Sequence, residues 1–199
     1  MEEGKIEQGR RWDALVRVLI RLATGKRILI LLALLVAYSM GVMHPAYRRI
    51  ATLTGGAGVI DFLIVYPPEQ VYDLIAAYGA QGRRFYAIVT LTLDTIFPIA
   101  LASVFGLILT YLFRRAFSRG GVLQRALPVP VAGMGADLLE NIGIATMLLT
   151  YPQKLPTVAV LTSAFSTVKW TAVLTEIMLV AAGLVSWLVK QLARGDETV

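Results

Sequence analysis

The 199-residue chain has no cysteine and a single histidine, His44. The first absence excludes disulfides, thiolate metal sites and cysteine nucleophiles. The second excludes any multi-histidine metal or haem site within one chain, so no metal site is expected. Charge is also scarce. Asp, Glu, Lys and Arg make up 16% of residues, against about 25% in an ordinary soluble domain. No phosphate-binding pattern is present: Gly55-Gly56-Ala57-Gly58 lacks the required spacing and reads as a turn. No cofactor signature and no internal repeat are visible. What fills the chain is apolar. Hydrophobic residues reach 57% and the mean hydropathy is +0.68, which suits one membrane domain rather than a soluble one. The net charge of +6 therefore points to anionic lipid at a cytoplasmic membrane face and not to nucleic acid.

The apolar runs predict an all-α integral membrane protein, a bundle of four transmembrane helices. Residues 1–25 read as an amphipathic interfacial helix, with Trp12, Leu15, Val16, Leu19 and Ile20 at helical spacing and arginines between them. The four spans are expected at residues 26–45, 85–113, 127–151 and 157–192, with a polar disordered tail over 195–199. Residues 46–84 read as a small extracytoplasmic cap. In it the glycine cluster breaks any helix, residues 59–66 are apolar, β-branched and extended, and Pro67-Pro68 opens a helix over 67–79. The second span should bend between Asp94 and Pro98, because Pro98 has no N–H to give to the Asp94 carbonyl. Thirteen Lys and Arg residues fall on the side of the termini and five on the side of the cap. The positive-inside rule then places both termini in the cytoplasm, in an inner or plasma membrane.

The candidate site is the set of charges inside these spans. Asp137, Glu140 and Asn141 share one helical face by their i, i+3, i+4 spacing. Counted from the cytoplasmic ends at about 1.5 Å per residue, Asp94 and Lys169 lie roughly 30 Å up, and Glu140 and Glu176 roughly 20 Å. Arg83, Arg84 and Tyr86 could add to the site from the cap. Four carboxylates (Asp94, Asp137, Glu140 and Glu176) then face the one cation Lys169. A low-dielectric interior will not hold that imbalance unless carboxylates are protonated, cap arginines reach in or a cation binds. Interhelical glue is the alternative reading of these residues. Ser166, three residues from Lys169, suggests a Ser–Lys dyad, but bonding back to its own helix is the preferred expectation.

Tyr66-Pro67-Pro68-Glu69, Gly79, Gly82-Arg83, Tyr86, the Asp94…Phe97-Pro98 element, Asp137-x-x-Glu140-Asn141 and Lys169 together resemble a group of uncharacterised small bacterial four-helix integral membrane proteins. The similarity runs over roughly residues 55–175. It implies a fold and carries no activity.

Three functions compete. The first is a binding or transport-type membrane protein. Its polar intramembrane pocket would hold a lipid headgroup, a quinone-like molecule or a cation on Asp94, Asp137, Glu140, Asn141, Lys169 and Glu176. The second is a membrane enzyme with Glu140 or Asp137 as base and Lys169 as electrophilic partner. The third is an accessory subunit, in a homo-oligomer or a larger membrane complex, with a purely structural charge network.

Overall fold

Long apolar runs whose polar residues recur at helical spacing become long helices, and the computed structural model is helical throughout the regular elements of the described residues. It describes residue 14 and residues 16–117 and 120–195. The expected interfacial helix is therefore seen only over residue 14 and residues 16–22, which are helical; its first half and the tail 196–199 lie outside the described residues. Helix α1 runs Gly25–Leu53, eight residues past the expected end of the first span. It passes through a π-helical turn at Ser39–Met43. Pro45, which has no N–H to give back, follows one residue after it, beyond His44, and a widened turn is where a helix absorbs such a residue.

After α1 the chain reverses through Gly55 and Gly56, at φ +64 and +84, a conformation that favours glycine. A single 3-10 turn, Ile60–Phe62, interrupts the stretch expected to be extended. Helix α2, Pro68–Ala77, starts on proline and stops at Gly79, whose φ of +64 closes it. Then come α3 (Gly79–Leu91), α4 (Leu93–Ala116), α5 (Gly120–Ala126), α6 (Pro128–Thr150) and α7 (Pro156–Gly195). The second expected span, 85–113, is thus α3 and α4, starting at Gly79 and joined at a turn on Thr92, whose φ of −118 and ψ of −77 depart from regular helix values. The interruption falls two residues before Asp94, and Pro98 itself lies inside α4.

Among the described residues three stretches are long and apolar enough to cross a membrane: Gly25–Leu53, Gly79–Ala116 and Pro156–Ala193. Helix α6 is long enough but is not among them; it carries Asp137, Glu140 and Asn141 in the middle of its run. Its position accounts for this, since it packs against α7, α3 and α4 together. The periphery is apolar instead. Leu29, Leu34, Val36 and Met40 on α1 and Leu174, Ile177 and Met178 on α7 are exposed. A surface of that kind suits lipid and not water.

Two apolar clusters occupy the two ends of the bundle. One joins Ile50, Tyr66, Val71, Tyr72, Ile144 and Met147 under α2. The other joins Val16, Leu109, Phe113, Leu123 and Leu127, so the segment 16–22 packs on the bundle end. Asp94, Glu140, Lys169 and Glu176 belong to neither cluster; along α6 and α7 the buried charges lie between the two.

Helices α6 and α7 approach closely at glycines. A Cβ on Gly133 would lie 2.9 Å from the Ala172 Cβ, and one on Gly143 would run into Thr162, whose Cβ is 3.0 Å away. Gly143→Ala should therefore cost about 1–3 kcal/mol by overpacking, read as a lower thermal midpoint in detergent. Thr162→Ala in the same chain should restore part of the loss. An unchanged midpoint for Gly143→Ala would refute this contact.

Candidate functional site

The site is built around a loop that enters the bundle. Residues 59–66 leave the glycine turn and run against α7, whose hydroxyls take up the loop's backbone polar groups. Ser163 Oγ accepts the Tyr66 N–H at 3.0 Å, Ser166 Oγ donates to the Leu63 carbonyl, and Thr167 Oγ1 donates to the Ile64 carbonyl at 3.0 Å. Irregular backbone among apolar helices is tolerated only when its groups are satisfied in this way. The expectation that Ser166 bonds back to its own helix is therefore corrected: it donates to the Leu63 carbonyl because that loop carbonyl stands within its reach. Thr162 does bond back, to the Val158 carbonyl at 2.7 Å.

The 3-10 turn in this loop delivers Asp61, which is 8% exposed. Asp61 Oδ1 lies 2.7 Å from Lys169 Nζ, and the Asp61 carbonyl accepts from the same ammonium at 3.0 Å. The Tyr47 hydroxyl donates to Asp61 Oδ2 at 3.3 Å, and the Asp61 N–H donates to the Tyr86 hydroxyl at 3.2 Å. On its other side Lys169 Nζ is 2.7 Å from Oε2 of Glu140, which is fully buried. That contact is an ion pair without hydrogen-bond alignment, and Glu140 Oε1 has no donor among the described residues. One ammonium thus ties the loop to α6 through α7. The oxygens of Asp61, Asp137 and Glu140 lie within 4.8 Å of one another, near enough to hold a metal ion. The Lys169 ammonium already sits against two of the three and supplies the positive charge there.

The other sequence candidates fall into two groups. Asp94, Asp137, Glu140, Asn141 and Lys169 come together. Asn141 Nδ2 points at the Asp94 carbonyl from 3.5 Å, and that carbonyl is the one Pro98 leaves without an intrahelical donor. The Tyr38 hydroxyl donates to the neighbouring Leu93 carbonyl at 2.7 Å. Asp94, Asp137 and Lys169 border a cavity of about 380 Å³ between α1, α4 and α7, with His44, Phe97 and Trp170 in its walls. Asp94 is buried, and its Oδ2 has no hydrogen-bond partner among the described residues. Glu176 borders a second space of about 10 Å³ beside Asp137 and Gly133, room for a single water.

The cap contributions are uneven. Tyr86 supports Asp61, as above. Arg83 turns away, donating to the Ile75 carbonyl at 3.1 Å with its guanidinium 4.2 Å from the Tyr151 ring centroid, and Arg84 is exposed. Neither arginine borders the cavity. Tyr66, on the loop, is held above the ordinary phenol range by burial and then by the Glu140 and Asp61 carboxylates, so it stays a neutral O–H.

Asp61 was missed in the sequence reading. With it the acids inside the bundle number five among the described residues, Asp61, Asp94, Glu140 and Glu176 buried and Asp137 half-buried, against the same single lysine. The available signal was one acid in the apolar run Ile60-Asp61-Phe62-Leu63-Ile64-Val65, inside a segment read as a cap and not as part of the core. A scan against protein-family models, a search of curated proteins and a search of solved structures each found no match.

Lys169→Met should strand Asp61 and Glu140 and lower stability by about 3–5 kcal/mol, the usual cost of removing one partner from a buried pair. Asp61→Asn with Glu140→Gln in the same chain should recover much of it, as measured by unfolding midpoints of single, double and triple variants. Strict additivity would mean that the three groups do not interact.

Proposed function

We propose that the chain is a four-span integral membrane protein of the binding or transport type, whose cavity holds a small or lipid-like ligand. The observation that carries this reading is the cavity itself. Its 380 Å³ fall in the roughly 300–1,000 Å³ range of small-molecule sites, with buried carboxylates set among apolar walls. In this reading α6 is the fourth span, shielded from lipid by α3, α4 and α7 so that its polar face meets protein. Helix α2 and the loop beneath it cap the outer end, the termini lie in the cytoplasm, and anionic lipid meets the basic inner end.

The enzyme reading has weaker support. Lys169 is held by two carboxylates and Ser166 by a loop carbonyl, so neither is free as electrophile or nucleophile. Glue alone does not account for an acid left without a donor at the edge of a cavity.

Native mass spectrometry of the chain released from nanodiscs should show a bound non-protein mass that is lost on activation. An empty chain, or a chain carrying only other proteins, would overturn the ligand reading. Because the sequence lacks cysteine, single substitutions report topology cleanly. A membrane-impermeant maleimide should label Gln70→Cys, exposed on α2, from outside intact cells, and Arg125→Cys, exposed on α5, only after permeabilisation. Labelling of both from one side would sink the four-span arrangement.

A further inference from the structure

The cavity's charges point to one kind of occupant. Lys169 is engaged by Asp61 and Glu140, and the second oxygen of Asp61 accepts from Tyr47. Two carboxylates remain at the cavity, Asp94 and Asp137, and among the described residues no other lysine or arginine borders it. Asp94 is 4% exposed, yet its Oδ2 receives no hydrogen bond among the described residues. A buried carboxylate oxygen without a donor is costly and asks for one from outside the chain. Facing Asp94 are aromatic walls from Tyr47, Phe97 and Trp170, and aromatic faces attract ammonium groups. Apart from Ser39 and His44, the remaining lining, Met40, Met43, Phe62, Leu101 and Val173, is apolar, and Met40 is also 62% exposed at the bundle surface, so the apolar lining continues to the outside.

Resting on the reading that the cavity holds a ligand, we infer that this ligand is an amphiphile with a cationic amine head, its N–H groups on Asp94 and Asp137 and its apolar chain along Met40, Met43 and Leu101. An anionic head would meet uncompensated carboxylates. A bare divalent cation is less suited. In the one cluster of three carboxylates among the described residues, the Lys169 ammonium already occupies Asp61 and Glu140. Elsewhere the lining is mostly apolar, whereas hard cations take six or more oxygens. A neutral head would leave the charge imbalance where it was. The same amine chemistry is offered by an aminophospholipid of the surrounding bilayer and by a free long-chain amine.

The test uses the full chain in phosphatidylcholine nanodiscs, with thermal midpoint and calorimetric titration as readouts. Dodecylamine, dodecanol and dodecanoate are compared at neutral pH. Dodecylamine should raise the midpoint and give saturable binding, while the alcohol and the acid should do neither. Asp94→Asn should weaken amine binding by about tenfold or more, as expected for the loss of a charge-assisted hydrogen bond. Asp137→Asn serves as a second variant should the first fold poorly. Nanodiscs containing phosphatidylethanolamine separate the sources. A raised midpoint there with a smaller dodecylamine effect assigns the site to a lipid headgroup, and no change assigns it to a free amine. Equal stabilisation by dodecanol, or full amine binding in both variants, overturns the amine head and leaves the ligand reading standing. No response to any amphiphile in either bilayer overturns both.

Discussion

One ammonium group holds three parts of the bundle in register. Lys169 projects from α7 and lies 2.7 Å from Asp61 on the loop and 2.7 Å from Glu140 on α6. Charges buried among apolar helices survive only when paired, and breaking such a pair costs far more than forming it gains. The loop cannot leave without exposing Asp61, and α7 cannot rotate without stranding Glu140. The hydroxyls of Ser163, Ser166 and Thr167 continue the same seam along α7, so the loop's backbone is satisfied wherever the lysine holds its turn in place.

This arrangement explains how α6 can carry Asp137, Glu140 and Asn141 in the middle of an apolar run. A helix surrounded by α3, α4 and α7 meets protein over most of its faces, and its polar groups find partners there. Gly133 and Gly143 let α7 come close enough for Lys169 and Glu176 to reach that face. The carboxylates that Lys169 does not satisfy are displaced to the edge of the cluster, where α1 leaves a gap beside α4 and α7. The π turn of α1, with Ser39, Met40 and Met43 at the cavity, lies against that gap, a place where such turns often accompany function.

Much of the helical plan was legible from residue types alone. Apolar runs, the proline at the start of α2 and the glycine after it located helices to within a few residues. Three features moved. The first helix runs on to Leu53 past a π turn ahead of Pro45, the second expected span starts at Gly79 and not at residue 85, and the break within it falls at Thr92. The free carbonyl deduced from Pro98 is present and is met by Asn141 from another helix.

By itself the sequence determined that helices would form, that their outer faces would be apolar, and that Asp94, Glu140, Asn141 and Lys169 would be buried together, because helical period and hydropathy are properties of neighbouring residues. Only the tertiary structure decided which acids the lysine takes. Asp61 stands 108 residues from Lys169, in a segment whose periodicity gave no hint of depth. The arginines at 83 and 84, equally plausible by sequence, point elsewhere. Pairing between distant charges depends on where a loop folds back, and that is settled by packing and by the cost of leaving a buried polar group unmet.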